Sequence, residues 1–358
     1  MKEQVHGGDV YRHPDVIDFS SNMNPLGTPK ALTDAVIDSM QRIAQYPDIR
    51  CERLIEALSV YEGVDKEQLI CGNGAADLIF SLVQALRPKR ALIQAPTFVE
   101  YAQALESVGC EVSYYDSTAD GYRITKRYVD SLDASYDIAF LCNPNNPTGF
   151  LIESDILNKV VDVCKKKKIF LVVDECFQDF VPEEKQFSLK ARLKDSRDLF
   201  LLKAFTKRYA MAGLRLGYGI TDNTELLDRI GEITQPWNVS IPAQEAGLAA
   251  LKETVYVQKG LEMVQTELAW LKTQFAALGL KTYDSQANYL FFEGPEDLKE
   301  RCLEQKILIR SCSNYVGLEK KHFRIAVRKH EDNAVLIGVL QKILTVPGRS
   351  EAYVESQA

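Results

Sequence analysis

The 358-residue sequence predicts an α/β fold: a large three-layer domain on a mainly parallel sheet, followed by a smaller C-terminal α+β domain. Three observations lead there. Short apolar runs rich in β-branched and aromatic residues recur between residues 90 and 220, amphipathic stretches of helical length separate several of them, and from about residue 280 the pattern changes. Strands alternating with helices require a parallel sheet covered on both faces.

Residues 1–30, with "HGGDVYRHPDVIDFSSNMNPLGTPK", are turn-rich and read as an arm packed over the domain junction. Residues 31–245 are expected to form the large domain. Its strands are predicted at "RALIQAP" (90–96), "DIAFLCNP" (137–144), "IFLVVDE" (169–175), "DLFLLKAF" (198–205) and "LRLGYGI" (214–220). Its helices are predicted at "AADLIFSLVQAL" (75–86), "FVEYAQALESVG" (98–109) and "ESDILNKVVDVCKKKK" (153–168). The lysine run at 165–168 reads as a solvated helix end, where cations suit the C-terminal dipole. Helical patterning from 243 makes residues 246–279 connecting helices, with no strand signal before "ANYLFFE" (287–293). Residues 280–358 form the small domain, with a helix at "PEDLKERCLEQK", strands at "ILIRSC" and "FRIAVR", and a last helix at "EDNAVLIGVLQKIL".

Net charge of -7 and a pI near 5.4 argue against nucleic acid or an anionic membrane as the main partner, while leaving room for a local basic pocket. No apolar stretch reaches the roughly 18 residues of a spanning helix, and the start "MKEQVHGGDV" has no signal-peptide core, so a cytoplasmic protein is expected. The eight cysteines show no C-x-x-C pair and several lie in apolar runs, which predicts buried free thiols. Histidines 6, 13, 322 and 330 form no ligand-spaced cluster, and no metal is expected.

Four features fall at strand ends of the large domain, where open α/β sheets place ligands. "CGNGAADLIFSLV" (71–83) is a glycine turn entering a helix, whose free Ala75 and Ala76 amides suit a phosphate. Alone, such a turn usually just closes a connection. "CNPNNPTG" (142–149) is a stiff polar turn presenting Asn146. "VVDECFQDF" (172–180) ends an apolar run in Asp174 and Glu175, and a buried carboxylate needs a cationic partner. In "AFTKRYAMAGLRLGYG" (204–219), Thr206 and Arg215 suit phosphate oxygens by hydroxyl and by bidentate fork. Lys207 lies between them, where cations and burial lower a lysine pKa and free the neutral amine to form an imine with an aldehyde.

One ligand satisfies all four. Its phosphate meets Ala75, Ala76, Thr206 and Arg215, its aldehyde carbon meets Lys207, its cationic ring nitrogen meets Asp174 and its phenolate oxygen meets Asn146. Pyridoxal 5'-phosphate carries these groups. Phe98 of "APTFVEY" is either a stacking partner for the ring or a core phenylalanine.

The motifs "NMNPLG", "YPD", "GNGAAD", "PTFVEY", "NPNNPTG", "DECFQDF", "FTK" and "GLRLGY" occur in this order. With them the chain resembles the fold-type I, pyridoxal-phosphate-dependent enzymes of the class I/II aminotransferase family over essentially its whole length. The resemblance implies the PLP-dependent transferase-like fold and a homodimer in which Tyr46 of "QYPD" reaches the cofactor phosphate of the other subunit. Within the family it is similar to the branch holding histidinol-phosphate aminotransferases and threonine-phosphate decarboxylases. Three features favour the decarboxylases: the opening "HGGDVYR" with "IDFSSNMNPLG", Phe177 where aminotransferases of this branch commonly carry tyrosine, and the stretch 307–333 with Arg310 and Arg324 at matching positions.

The implied reaction is decarboxylation of O-phospho-L-threonine, or of O-phospho-L-serine one methyl smaller, to an amino alcohol phosphate for cobamide biosynthesis. The alternative is a histidinol-phosphate or related aminotransferase. A phospho amino acid brings up to about three negative charges, which Arg310 and Arg324 on adjacent strands would compensate. The competing reading makes them surface salt bridges. Arg328 is a further cation nearby. By resemblance, His6 and Asn24 are candidates for the substrate phosphate and for closing the site through the arm, against an arm with no ligand contact; Asn146 is counted with the substrate contacts too. The bond broken depends on how the carboxylate is held. Lys207 would return a proton to Cα after loss of carbon dioxide, or carry it to the cofactor in a transaminase.

Overall fold

The computed structural model describes residues 6–182 and 187–345. In chain order the strands are β1 (Ile17–Asp18), β2 (Leu69–Gly72), β3 (Arg90–Ala95), β4 (Glu111–Asp116), β5 (Ile138–Cys142), β6 (Phe170–Asp174), β7 (Leu199–Ala204), β8 (Gly217–Ile220), β9 (Tyr289–Glu293), β10 (Ile307–Leu308), β11 (Arg310–Ser311) and β12 (His322–Ala326). Seven form one sheet in the order β2-β8-β7-β6-β5-β3-β4. The pairs β4/β3, β3/β5, β5/β6 and β6/β7 are parallel, whereas β8 runs antiparallel to both β7 and β2.

The central strands are covered on both faces, as their unbroken apolar runs require. Along β5, Ala139 and Leu141 join one core while Ile138, Phe140 and Cys142 join the other; along β6, Leu171 and Val173 separate from Phe170 and Val172 in the same way. The helix Ala75–Leu86 buries Leu78, Ile79, Leu82 and Val83, the stripe that lays it on the sheet. Two strands lie outside the expected set. β2 is only four residues long, and β4, "EVSYYD", is a mostly solvated edge strand without an apolar run.

A second sheet, β11-β12-β9, is antiparallel and shares a core with the helices Thr254–Ala277 and His330–Leu344 through Phe275, Phe292, Phe323 and Leu340. The stretch "ILIRSC" is two strands rather than one. β10 pairs in parallel with β1 of the arm, and the chain then turns at Ile309 so that β11 pairs with β12. The arm is thereby stitched to the small sheet, with a further bond from the Ala326 amide to the Phe19 carbonyl at 2.7 Å. Phe19 is fully buried in the small-domain core.

The lysine run at the end of helix Ser154–Lys167 is more than a solvated end. Lys165 Nζ donates to the Asp195 carbonyl and Lys167 Nζ to the Leu132 carbonyl at 2.5 Å, because both stems reach free carbonyls of neighbouring loops. Among the described residues no helix is long and apolar enough to cross a membrane.

Candidate active site

The C-terminal ends of parallel β3, β5, β6 and β7 reach one edge of the large sheet, together with the turn that follows β2. Because β8 is antiparallel, its beginning faces that edge, and Arg215 just before it joins the same site. A cavity of about 250 Å3 lies there, walled on the far side by the arm and by β11 and β12. Ala75, Ala76, Phe98, Asn146, Asp174, Thr206, Lys207, Arg215, His6, Arg310 and Arg324 all line it.

Asp174 ends β6 and points into the cavity, while the next residue, Glu175, turns to the opposite side to meet Ser188 and Lys203. The Asp174 carboxylate accepts from the Tyr101 hydroxyl at 2.5 Å and from the Cys176 amide at 2.9 Å. Burial raises its pKa, opposed by these hydrogen bonds and by the Lys207 cation. Lys207 sits in a single helical turn, Phe205–Arg208, directly after β7, with Nζ 5.9 Å from the centre of the Phe177 ring. Burial, then the Arg324 and Arg215 cations, push its pKa down to about 8, against the pull of Cys176 and Asp174. Its amine is therefore substantially neutral at mildly alkaline pH.

The turn at Gly74 is shaped for the phosphate end of the expected cofactor. That residue has φ +83° and opens helix Ala75–Leu86; a Cβ on it would stand 2.5 Å from Arg215 Nη2. A Cβ on Gly217 would stand 2.6 Å from the Ala75 nitrogen. The two glycines thus let the guanidinium and the helix amides close on one cup, with the buried Thr206 beside it. This donor set fits a phosphate, and the Asp174 and Lys207 pair fits the ring nitrogen and the aldehyde of pyridoxal phosphate. Phe98 lines the cavity and meets Tyr101 in a T-shaped contact, ring centres 5.6 Å apart.

Arg310 and Arg324 are opposite each other in the β11/β12 register, and both are at most 5% exposed. They are not surface salt bridges. Arg324 donates to Asn146 Oδ1 and to the Ser20 carbonyl at 2.9 Å, both neutral acceptors. Arg310 donates to the Ser311 carbonyl at 2.7 Å and to Asn314 Oδ1 at 2.9 Å, and like charges paired across a sheet repel, so the pair makes this end of the cavity electropositive.

One expected substrate contact, Asn24, lies elsewhere, as does the nearby cation Arg328. Asn24 does not reach the cavity: its Nδ2 donates to the Arg208 carbonyl at 2.9 Å, its Oδ1 accepts from the Leu26 amide, and its own amide donates to the Lys207 carbonyl. A buried amide satisfied in this way is a clamp between arm and lysine turn. Asn22, two residues earlier, lines the cavity with Ser20 and Ser21. Arg328 is engaged elsewhere, with Asp332 Oδ2 at 2.9 Å and the Asp18 carbonyl at 3.0 Å, and does not line the cavity. Tyr46 is 76% exposed and stacks on Trp237, ring centres 4.3 Å apart, so it faces out of this chain.

Sequence reasoning passed over Tyr101, Glu100, Ser20, Ser21, Asn22 and Tyr315, all except Tyr101 lining the cavity. "PTFVEY" and "IDFSSNMNPLG" contain all of these except Tyr315, and nothing local tells which of Asn22 and Asn24 turns inward.

The model of the family described as aminotransferase class I and II matches residues 14–340. The chain is 37% identical to a threonine-phosphate decarboxylase from Salmonella typhimurium, covering 95% of this chain and 97% of that one. Among solved structures it is similar to a histidinol-phosphate aminotransferase from Clostridium acetobutylicum (TM-score 0.85, 28% identity, 91% of this chain and 98% of that one). It is similar as well to an L-threonine-O-3-phosphate decarboxylase from Porphyromonas gingivalis (TM-score 0.82, 25% identity, 92% and 99%). A lysine, a carboxylate and a phosphate cup on one edge of this sheet, and a family model spanning nearly the whole chain, lead to one conclusion: the protein belongs to the class I and II aminotransferase family, with pyridoxal 5'-phosphate as its cofactor.

Proposed function

We propose that this enzyme decarboxylates O-phospho-L-threonine, with O-phospho-L-serine as the second candidate substrate, to the amino alcohol phosphate used in cobamide biosynthesis. The observation that carries the reading is the buried cross-strand pair Arg310 and Arg324 in the same cavity as Lys207 and Asp174. It provides for a substrate with two anionic groups. The similarity to a threonine-phosphate decarboxylase over both chains supports the choice of reaction, as does Phe177, which offers no hydroxyl to the cofactor's phenolate oxygen.

Pyridoxal phosphate, when bound, supplies an electron sink for the bond broken at Cα. The chain's residues do the rest. Ala75, Ala76, Thr206 and Arg215 would hold its phosphate, Asn146 its phenolate oxygen and Asp174 the proton of its ring nitrogen, with Phe98 against its face. Arg324 and Arg310 would bind the substrate's carboxylate and phosphate and so orient the bond to be broken. After carbon dioxide leaves, Lys207 Nζ would return a proton to Cα. His6 and the Ser20 to Asn22 stretch would cover the cavity and exclude water.

The working unit in this reading is a cytoplasmic homodimer. Ile37, Met40, Ile43, Tyr46, Ile49 and Trp237 are each at least 44% exposed, an apolar surface suited to a second copy that would receive Tyr46 at its cofactor phosphate. The eight cysteines are free, as a reducing compartment leaves them.

A histidinol-phosphate aminotransferase is the second reading, favoured by the similarity of fold to such an enzyme and by a residue set that serves both reactions. Incubation with phosphothreonine, phosphoserine and histidinol phosphate in parallel separates them. Carbon dioxide with the cofactor retained as pyridoxal phosphate is expected; conversion to the pyridoxamine form by histidinol phosphate, without carbon dioxide from either phospho amino acid, overturns it.

A further inference from the structure

Glu100 is a second carboxylate, beside Asp174, in a cavity that also holds Lys207, Arg215, Arg310 and Arg324. It begins helix Glu100–Ser107, lines the cavity, and its side chain is 13% exposed. Oε1 lies 3.3 Å from His6 Nδ1 on the arm; Oε2 is closed off from solvent and has no hydrogen-bond partner among the described residues. A carboxylate oxygen buried without a donor is costly when ionised, and it becomes costlier when an anion enters beside it.

We propose that His6 and Glu100 form a proton-sharing pair at the Arg310 end of the cavity, and that this pair takes up a proton from solvent when an anionic substrate binds. The inference rests on the reading of the substrate as a phosphorylated amino acid. With the proton absent the pair is a neutral imidazole against a carboxylate, and repels the incoming phosphate. With it present, the pair is either an imidazolium beside a carboxylate or an imidazole beside a carboxylic acid. Each form is net neutral, and each leaves a donor for Oε1 or for the ligand. His6 alone would be a solvent-facing arm residue; Glu100 gives it a reason to stay at the cavity.

The groups facing the pair agree with this. Arg310 from β11 and Lys207 from the turn after β7 favour the carboxylate, Asp174 from β6 disfavours it, and the Tyr315 hydroxyl is near enough to feel its charge. Burial outweighs the cations and raises the Glu100 pKa to about 7. Burial and Arg310 lower that of His6, so near neutral pH the carboxyl is the group poised to take the proton.

The test is calorimetry on the pyridoxal-phosphate-loaded enzyme with 3-phosphoglycerate, which carries phosphate and carboxylate but no amine to react. Titrations at pH 8 in two buffers of different ionisation enthalpy give the number of protons taken up. At that pH the free phosphate is already fully ionised, its second pKa being about 6. The wild type is expected to take up most of one proton. The Glu100→Gln variant, which keeps the shape of the neutral acid, is expected to take up few and to bind at least as tightly at pH 8; a merely structural glutamate would move neither quantity. Equal proton uptake by wild type and variant, or weaker binding by the variant at pH 8, overturns the pairing. Turnover of phosphothreonine reports separately on the substrate. Carbon dioxide release with equal uptake defeats the pair alone, whereas ligand-linked uptake without carbon dioxide release defeats the assigned substrate alone.

Discussion

The cavity has two walls built in different ways. The cofactor wall is made of turns at strand ends of one sheet, so Asn146, Asp174 and Lys207 reach the same edge because β5, β6 and β7 are parallel neighbours. The opposite wall is assembled from the arm and the small sheet, by contacts between parts of the chain far apart in sequence. Arg324 reaches the Ser20 carbonyl across 304 residues, and Asn24 reaches the lysine turn across 184. The first wall can keep one cofactor while the second is altered to change the substrate, which is how one fold comes to serve several reactions.

The sharpest test of the first wall is Lys207→Ala. If Lys207 moves the proton at Cα as proposed, its loss lowers kcat on the order of 10^3-fold or more. Single-turnover product formation measures it; a variant with near-normal turnover would remove Lys207 from the reaction. On the second wall, Arg324→Ala should cost about 30-fold or more in kcat/KM, since it strips a buried cation from its anion and neutral acceptors. Arg328→Ala should change kcat/KM by less than about threefold, because Arg328 is bound to Asp332 and to the Asp18 carbonyl outside the cavity. Steady-state kinetics on the two variants side by side decides whether the substrate wall ends at Arg324.

The two walls also differ in how far the sequence discloses them. Apolar runs punctuated by "NPNNPTG", "DE" and "FTK" locate three strand ends, and a parallel sheet leaves those ends only one edge on which to meet. The glycine turn before Ala75 follows for the same reason, whereas the "GLRLGY" arginine reaches that edge only because β8 is antiparallel, a direction that the parallel-sheet pattern does not disclose. The second wall depends on pairings with no local signature. β1 with β10 is a two-residue ladder, and "ILIRSC" breaks at Ile309 only because its halves have different partners. Asn22 and Asn24 lie two residues apart, outside any strand, and nothing in "DFSSNMN" tells which of them turns to the cavity. Tyr101 has no local signal of another kind: "PTFVEY" does not say where its hydroxyl goes, and only the fold brings it to Asp174.

Asn24→Ala tests the boundary between wall and scaffold. Removing the amide leaves the Arg208 carbonyl without its donor and the Leu26 amide without its acceptor. A stability loss of about 1 to 3 kcal/mol is expected, seen as a lower midpoint in denaturant unfolding, with KM for the phospho amino acid unchanged. A raised KM at unchanged stability would return Asn24 to the substrate.

Tyr101→Phe is expected to shift a pH profile more than a rate, and it tests whether the cofactor wall tunes charge as well as position. The Tyr101 hydroxyl donates to Asp174 Oδ2, and with the Cys176 amide and Lys207 it opposes the rise in pKa that burial imposes on Asp174. Without the hydroxyl the charged carboxylate loses a donor while the neutral acid loses little, so the Asp174 pKa rises further. In the proposed role Asp174 must be ionised to hold the ring-nitrogen proton, so the acid limb of the kcat/KM profile is expected to move to higher pH, while the plateau falls by less than about tenfold. A profile that stayed in place would mean that Tyr101 only fills space beside Phe140, against which its ring stacks at 5.0 Å, and that the first wall works by position alone.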